Sequence, residues 1–102
     1  MREPIVEIRS NSIARLNNTT LEKHFSTDFE YVELYYHEEK NRLAFVEVEE
    51  STEYSFDVFY HSELGAVIDV SLIFEREDIN IDEMEEYTPK IDVEEDMVFI
   101  QL

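Results

Sequence analysis

The residue order predicts a mainly β protein, a β-rich α+β class with two short helices. Two observations carry this. Apolar residues recur at every second position across residues 31–36 and 97–102, the period of a half-buried strand. A strand–cap–helix–hairpin order also occurs twice, with Ala14, Leu16 and Leu21 recurring as Ala66, Ile68 and Ile73 at an offset of 52 residues. We therefore expect one compact domain, 1–102, built as two ββαββ units in pseudo-repeat halves 1–49 and 54–102.

In the first half, residues 5–9 and 12–16 read as strands. Asn17 or Asn18 then caps a short helix running to Phe25. Asn is a residue that accepts the unpaired amide protons of a first helical turn. Residues 31–36 and 42–48 form a hairpin about the polar turn 37–41, with Val32, Leu34 and Tyr36 on one face. Residues 49–53 are a polar connector. In the second half, residues 54–59 and 66–68 are expected strands, and Gly65 makes the turn into the latter. Asp69 stands where Asn17 stood, and Ser71-Leu72-Ile73-Phe74 starts the second helix. Residues 78–86 read as an acidic loop. Residues 88–93 and 97–102 close the chain as a hairpin about Glu94-Glu95-Asp96, with Val98, Ile100 and Leu102 on one face.

Charge narrows the function. The chain has 26 Asp+Glu against 8 Lys+Arg and a net charge of −18. Residues 1–45 hold 8 acids and 6 bases, whereas residues 46–102 hold 18 acids and 2 bases. Such a field repels nucleic acid and anionic membrane and attracts cations and basic partners. Adaptation to concentrated salt is an alternative cause, because at molar salt the Debye length is about 3 Å. The uneven distribution favours a functional acidic face. With 7 Phe and 6 Tyr the chain is too aromatic for disorder. No apolar run approaches the roughly 20 residues that span a bilayer, and the N-terminus lacks a signal peptide's apolar core. A cytoplasmic protein without membrane contact is expected.

Catalytic chemistry is not legible, and we expect no enzyme, cofactor or metal. There is no cysteine, hence no thiol nucleophile or thiolate zinc site. His24, His37 and His61 lie far apart, without zinc-ligand spacing. His61 precedes Ser62 but has no third group to orient it. Asp78-Ile79-Asn80-Ile81-Asp82 begins like a calcium loop, yet Glu83 and Pro89 occupy the positions that need Gly and Glu. Asn18-Thr19-Thr20 matches a glycosylation sequon, but capping explains it better. The aromatics Tyr54, Phe56, Phe59 and Tyr60 fall at strand spacing and read as packing residues. Tyr31, Glu33 and Tyr35 lie on the face opposite Val32 and Leu34, a candidate partner surface.

The stretch Ile8-Arg9-Ser10-Asn11-Ser12-Ile13-Ala14-Arg15-Leu16-Asn17 resembles the opening of the AbrB/MazE-like swapped-hairpin proteins. So does the hairpin Tyr31-Val32-Glu33-Leu34-Tyr35-Tyr36-His37-Glu38-Glu39-Lys40-Asn41-Arg42-Leu43. The second half looks like a diverged second copy in tandem, as in small prokaryotic and phage proteins. The resemblance implies interleaved strands, in a pseudo-dimeric monomer or a homodimer. It also implies DNA contact through the first hairpin, with Arg9, Asn11 and Arg15 at the matching positions and Lys23 on the following helix. In the second copy Val67 replaces Arg15, and Glu63 and Asp69 flank the site. Arg9 and Arg15 have a competing role as cross-strand partners of Glu7 or Glu22, worth about 0–1 kcal/mol.

Three readings follow. The first is an AbrB-like transcription regulator whose N-terminal half contacts DNA. The second is an acidic DNA mimic whose C-terminal half binds a basic protein. The third is a viral or halophilic structural or assembly protein.

Overall fold

Alternating patterning and one capped helix start underlie the ten strands and two helices of the computed structural model, which describes residues 3–10, 12–26 and 29–102. In chain order these are β1 (Val6–Ile8), β2 (Ile13–Leu16), α1 (Asn18–His24), β3 (Tyr31–His37), β4 (Arg42–Val48), β5 (Ser55–Asp57), β6 (Phe59–His61), β7 (Gly65–Asp69), α2 (Ser71–Arg76), β8 (Glu85–Tyr87), β9 (Lys90–Asp92) and β10 (Met97–Gln101). They make two antiparallel sheets of five strands, β6-β7-β2-β1-β8 and β5-β3-β4-β10-β9. The chain is thus mainly β, of β-rich α+β class.

The sheets are joined at both margins. Residues 54–59, expected as one strand, divide: β5 pairs with β3 in the second sheet, and β6 pairs with β7 in the first. Between them the Val58 N–H donates to the Glu30 carbonyl at 3.0 Å, so the segment crosses from sheet to sheet without losing its backbone partners. Of residues 88–93, expected as one strand, Lys90–Asp92 form β9, and a further strand, β8, precedes them. β8 pairs with β1 and β9 with β10. The crossing falls at Thr88 and Pro89, and proline has no N–H to give to a ladder. The acidic loop expected over 78–86 therefore ends in a strand.

One cluster of buried apolar side chains fills the space between the sheets. Val6, Ile8, Leu16 and Ile68 enter it from the first sheet, Val32, Leu34, Leu43, Phe45 and Ile100 from the second, and Leu21, Ile73 and Phe74 from the helices. Burying a side chain of this size stabilises by roughly 1.5–3 kcal/mol.

The strand order reads the same way from its centre outward: hairpin β1–β2 abuts hairpin β6–β7, and hairpin β3–β4 abuts hairpin β9–β10. The ladders repeat as well. Glu7↔Arg15 and Ile8↔Ala14 recur as Phe59↔Val67 and Tyr60↔Ala66, each shifted by 52 residues. The β3–β4 and β9–β10 hairpins each turn through four residues, and the last of the four has positive φ, Asn41 at 52° and Asp96 at 53°.

The helices begin differently. Asn17 is the cap of α1: its Oδ1 accepts from the Thr20 N–H at 2.9 Å. Val70, not Asp69, takes that position in α2 and supplies no side-chain cap. Asp69 ends β7, and its Oδ1 accepts from the Ser71 N–H at 3.0 Å. Gly65 makes the turn into β7 at φ +93°, and a Cβ there would lie 2.1 Å from the Leu16 carbonyl oxygen. Only glycine fits.

Candidate functional site

The outward face of the first sheet holds two of the expected DNA-contacting residues. Strand alternation sends Val6 and Ile8 into the core and Glu7 outward. The register then sets Phe59, Val67, Arg15, Glu7 and Glu86 in one row across β6, β7, β2, β1 and β8. Arg9 lies two residues beyond Glu7, on the same side.

These side chains bond to one another. Arg9 Nε donates to Glu7 Oε1 at 2.7 Å, and an Arg15 terminal nitrogen donates to Glu7 Oε2 at 3.1 Å. The other terminal nitrogen of Arg15 donates to the Leu64 carbonyl at 2.9 Å. Glu7 is only 4% exposed. Burial alone would raise its carboxyl, but the hydrogen bonds and positive charges of Arg15 and Arg9 outweigh it and hold the group below the usual carboxylate range. The Arg15 side chain is 17% exposed and that of Arg9 51%. Arg15 is therefore engaged largely inside the fold, and half of the Arg9 side chain stays exposed. Of the two anions proposed for the competing role, Glu7 serves both arginines.

The other expected residues do not join them. Asn11 lies outside the described residues. Lys23 is exposed in the last turn of α1 beside His24, where positive charge complements the helix dipole. At an offset of 52 residues, Arg9, Asn11, Arg15 and Lys23 become His61, Glu63, Val67 and Glu75, so the second half presents no matching cations.

The carboxylates of residues 46–102 stand mostly in water. Of the 18, 15 are exposed and none is buried. Asp78, Asp82, Glu83 and Glu85 edge a cleft of about 580 Å³ whose floor includes Tyr36, Ile81 and Tyr87. The Tyr87 hydroxyl donates to Glu85 Oε2 at 2.9 Å. Burial first and Glu85 second push its phenol up to about 12, so it stays a donor at neutral pH. Among the described residues, no group of three or more His, Cys, Asp or Glu is placed to hold a metal ion.

Sequence reasoning missed a second set of bases. His37, Lys40 and Arg42 gather at one end of the second sheet's outer face, with Arg42 stacked 4.2 Å from the centre of the Phe99 ring. The period-two pattern placed Tyr35 on that face. The pairing of β4 with β10, which brings Phe99 beneath Arg42, has no local signal in the sequence.

No family model, curated protein or solved structure matches this chain. Among the described residues no helix is long and apolar enough to cross a membrane.

Proposed function

We propose that this chain is a non-enzymatic binding protein that engages a basic partner through its outward carboxylates, in the manner of a DNA mimic. The observation that carries this reading is the fate of the arginines. Arg15 and Arg9 converge on one buried glutamate, while 15 of the trailing 18 carboxylates stand in water. A duplex approaching the β1–β2 face would meet one half-free guanidinium, the apolar pair Phe59 and Val67, and Glu86. Counterion release rewards each phosphate that a cation neutralises, and here few cations remain to do so. The cleft edged by Asp78, Asp82, Glu83 and Glu85 adds a Tyr- and Ile-lined floor suited to the stems of lysine or arginine side chains.

The test is a pair of titrations at low salt, one with labelled duplex DNA and one with an oligolysine peptide, followed by amide chemical shifts. The peptide is expected to move resonances of residues 78–86, and the DNA to move none. DNA binding that Arg9→Ala weakens would overturn the reading.

A DNA-contacting regulator is the second reading. Two features favour it: the hairpin ladders that repeat at 52 residues, as a tandem swapped-hairpin protein would have, and the half-exposed Arg9. It requires a DNA affinity that falls with salt and with Arg9→Ala.

A further inference from the structure

The second half leaves open a place that the first half fills with its own chain. At an offset of 52 residues, Ile5, Asn17 and Thr20 become Asp57, Asp69 and Leu72. In the first half these three positions close on one another. The Ile5 N–H donates to Asn17 Oδ1 at 3.1 Å, the Thr20 hydroxyl donates to the Ile5 carbonyl at 3.1 Å, and Thr20 is buried. In the second half the closure is lost. Asp57 pairs with Tyr31 in the other sheet, Asp69 Oδ1 turns to the Ser71 N–H, and Leu72 is 70% exposed. A depression of about 500 Å³ remains, lined by Phe56, Asp57, Phe59, Asp69 and Leu72 together with three serines.

This lining is apolar and anionic. Phe59, 63% exposed, stands where Glu7 stands in the first half, so an apolar ring replaces the carboxylate that binds Arg9 and Arg15. Among the described large apolar side chains, Val93 alone is more exposed than Leu72 and Phe59. Apolar side chains that adjoin one another in water mark a docking surface, whereas scattered ones do not. The charged residues of the lining are Asp57 and Asp69, and neither makes an ion pair among the described residues. The neighbouring bases are engaged elsewhere. Arg76, one turn beyond Leu72, pairs with Glu77 at 3.4 Å, and Arg15 is bound to Glu7. His61 Nδ1 accepts from the Glu63 and Leu64 N–H groups at 3.2 and 3.3 Å.

We propose that the basic partner is anchored here by an apolar side chain with an arginine beside it. The apolar group covers Phe59 and Leu72, and the guanidinium reaches Asp57 and Asp69. This anchor presupposes the basic partner proposed above, and it fixes where and by what chemistry that partner is held. Charge complementarity selects the occupant. An acidic segment would be repelled, and an uncharged one would take water from two carboxylates without pairing them. A guanidinium presents a fork of donors that can serve two acceptors, whereas a lysine ammonium is a single point charge. Burial of the apolar pair is not screened by salt, so contact at this place outlasts purely ionic contact.

Two peptides of equal charge test the proposal by amide chemical shifts: oligolysine with a central Arg-Leu pair, and oligolysine with a central Lys-Ser pair. At high salt the first is expected to bind at least tenfold more tightly and to move the amides of Phe59, Asp69 and Leu72. Phe59→Ser combined with Leu72→Ser is expected to erase that preference while both peptides still bind at low salt. Both positions are exposed, and circular dichroism checks that the variant folds. The isosteric pair Asp57→Asn with Asp69→Asn is expected to reduce the preference as well. Equal affinity for the two peptides, or a preference that survives both double variants, overturns the anchor and leaves the basic-partner reading standing. Failure of both peptides to bind at low salt overturns that reading and the anchor with it.

Discussion

Glu7 shows how one residue can decide what two others are free to do. Its carboxylate is buried, and its two oxygens bind two different guanidiniums. Removing a fully buried ion-pair partner costs about 3–5 kcal/mol. Here Arg9 and part of Arg15 regain water, so Glu7→Gln is expected to cost about 1–2 kcal/mol, read from urea unfolding. The pH dependence has a definite sign. The folded carboxyl lies below its unfolded value, so its stabilising contribution is complete above the unfolded pKa and is lost as pH falls through the folded one. Glu7→Gln should remove that share of acid sensitivity, and an unchanged slope of stability against pH below neutrality would contradict it. Gly65→Ala is expected to cost more than about 1 kcal/mol through backbone strain alone, with the clash against Leu16 added. A stability change within measurement error would contradict that assignment. At this scale the sequence was informative about partners and poor about burial. Period two placed Glu7 and Arg9 on one face. That the guanidiniums would roof the carboxylate depended on the pairing of β1 with β2 and on the position of Leu64.

The two helix starts make the contrast at the next scale. Asn17 Oδ1 accepts from the Thr20 N–H and from the Ile5 N–H at 3.1 Å, and its amide nitrogen donates to the Glu3 carbonyl at 2.9 Å. It ties α1 to the chain leading into β1. Losing an N-cap costs about 0.5–2 kcal/mol, and Asn17→Ala is expected at the upper end because the link to β1 goes with it. Asp69→Ala loses one exposed bond to the Ser71 N–H and is expected to cost less than about 0.5 kcal/mol. Equal costs, measured by thermal unfolding, would mean that the two positions are equivalent after all. Both helices and the 31–48 hairpin were legible because capping and alternation are local signals. The divisions at Val58 and at Thr88-Pro89 were less so. Val58 lies inside a run with strand character, whereas Thr88-Pro89 follows residues that read as an acidic loop, and the change of sheet is imposed by partners far along the chain, Glu30 for one and β1 for the other.

Across the whole molecule the governing quantity is a net charge of −18 carried largely by exposed carboxylates of the trailing half. Self-repulsion opposes the compact state and is screened by salt. The thermal midpoint is therefore expected to rise when monovalent salt increases from low to molar levels, and a flat or falling midpoint would contradict this. The asymmetry of charge was plain in the sequence. Its consequence was not, because linear order does not tell which cations turn inward to a glutamate and which remain in water. The most direct measurement of the central claim is displacement. Labelled duplex DNA is first bound to a non-specific basic DNA-binding protein, and this chain is then added while the anisotropy of the DNA is followed. Release of the DNA, with no signal when the chain is mixed with DNA alone, is the result expected of an acidic partner for basic proteins. Retention of the DNA on the basic protein, or direct binding of the chain to DNA, would contradict it.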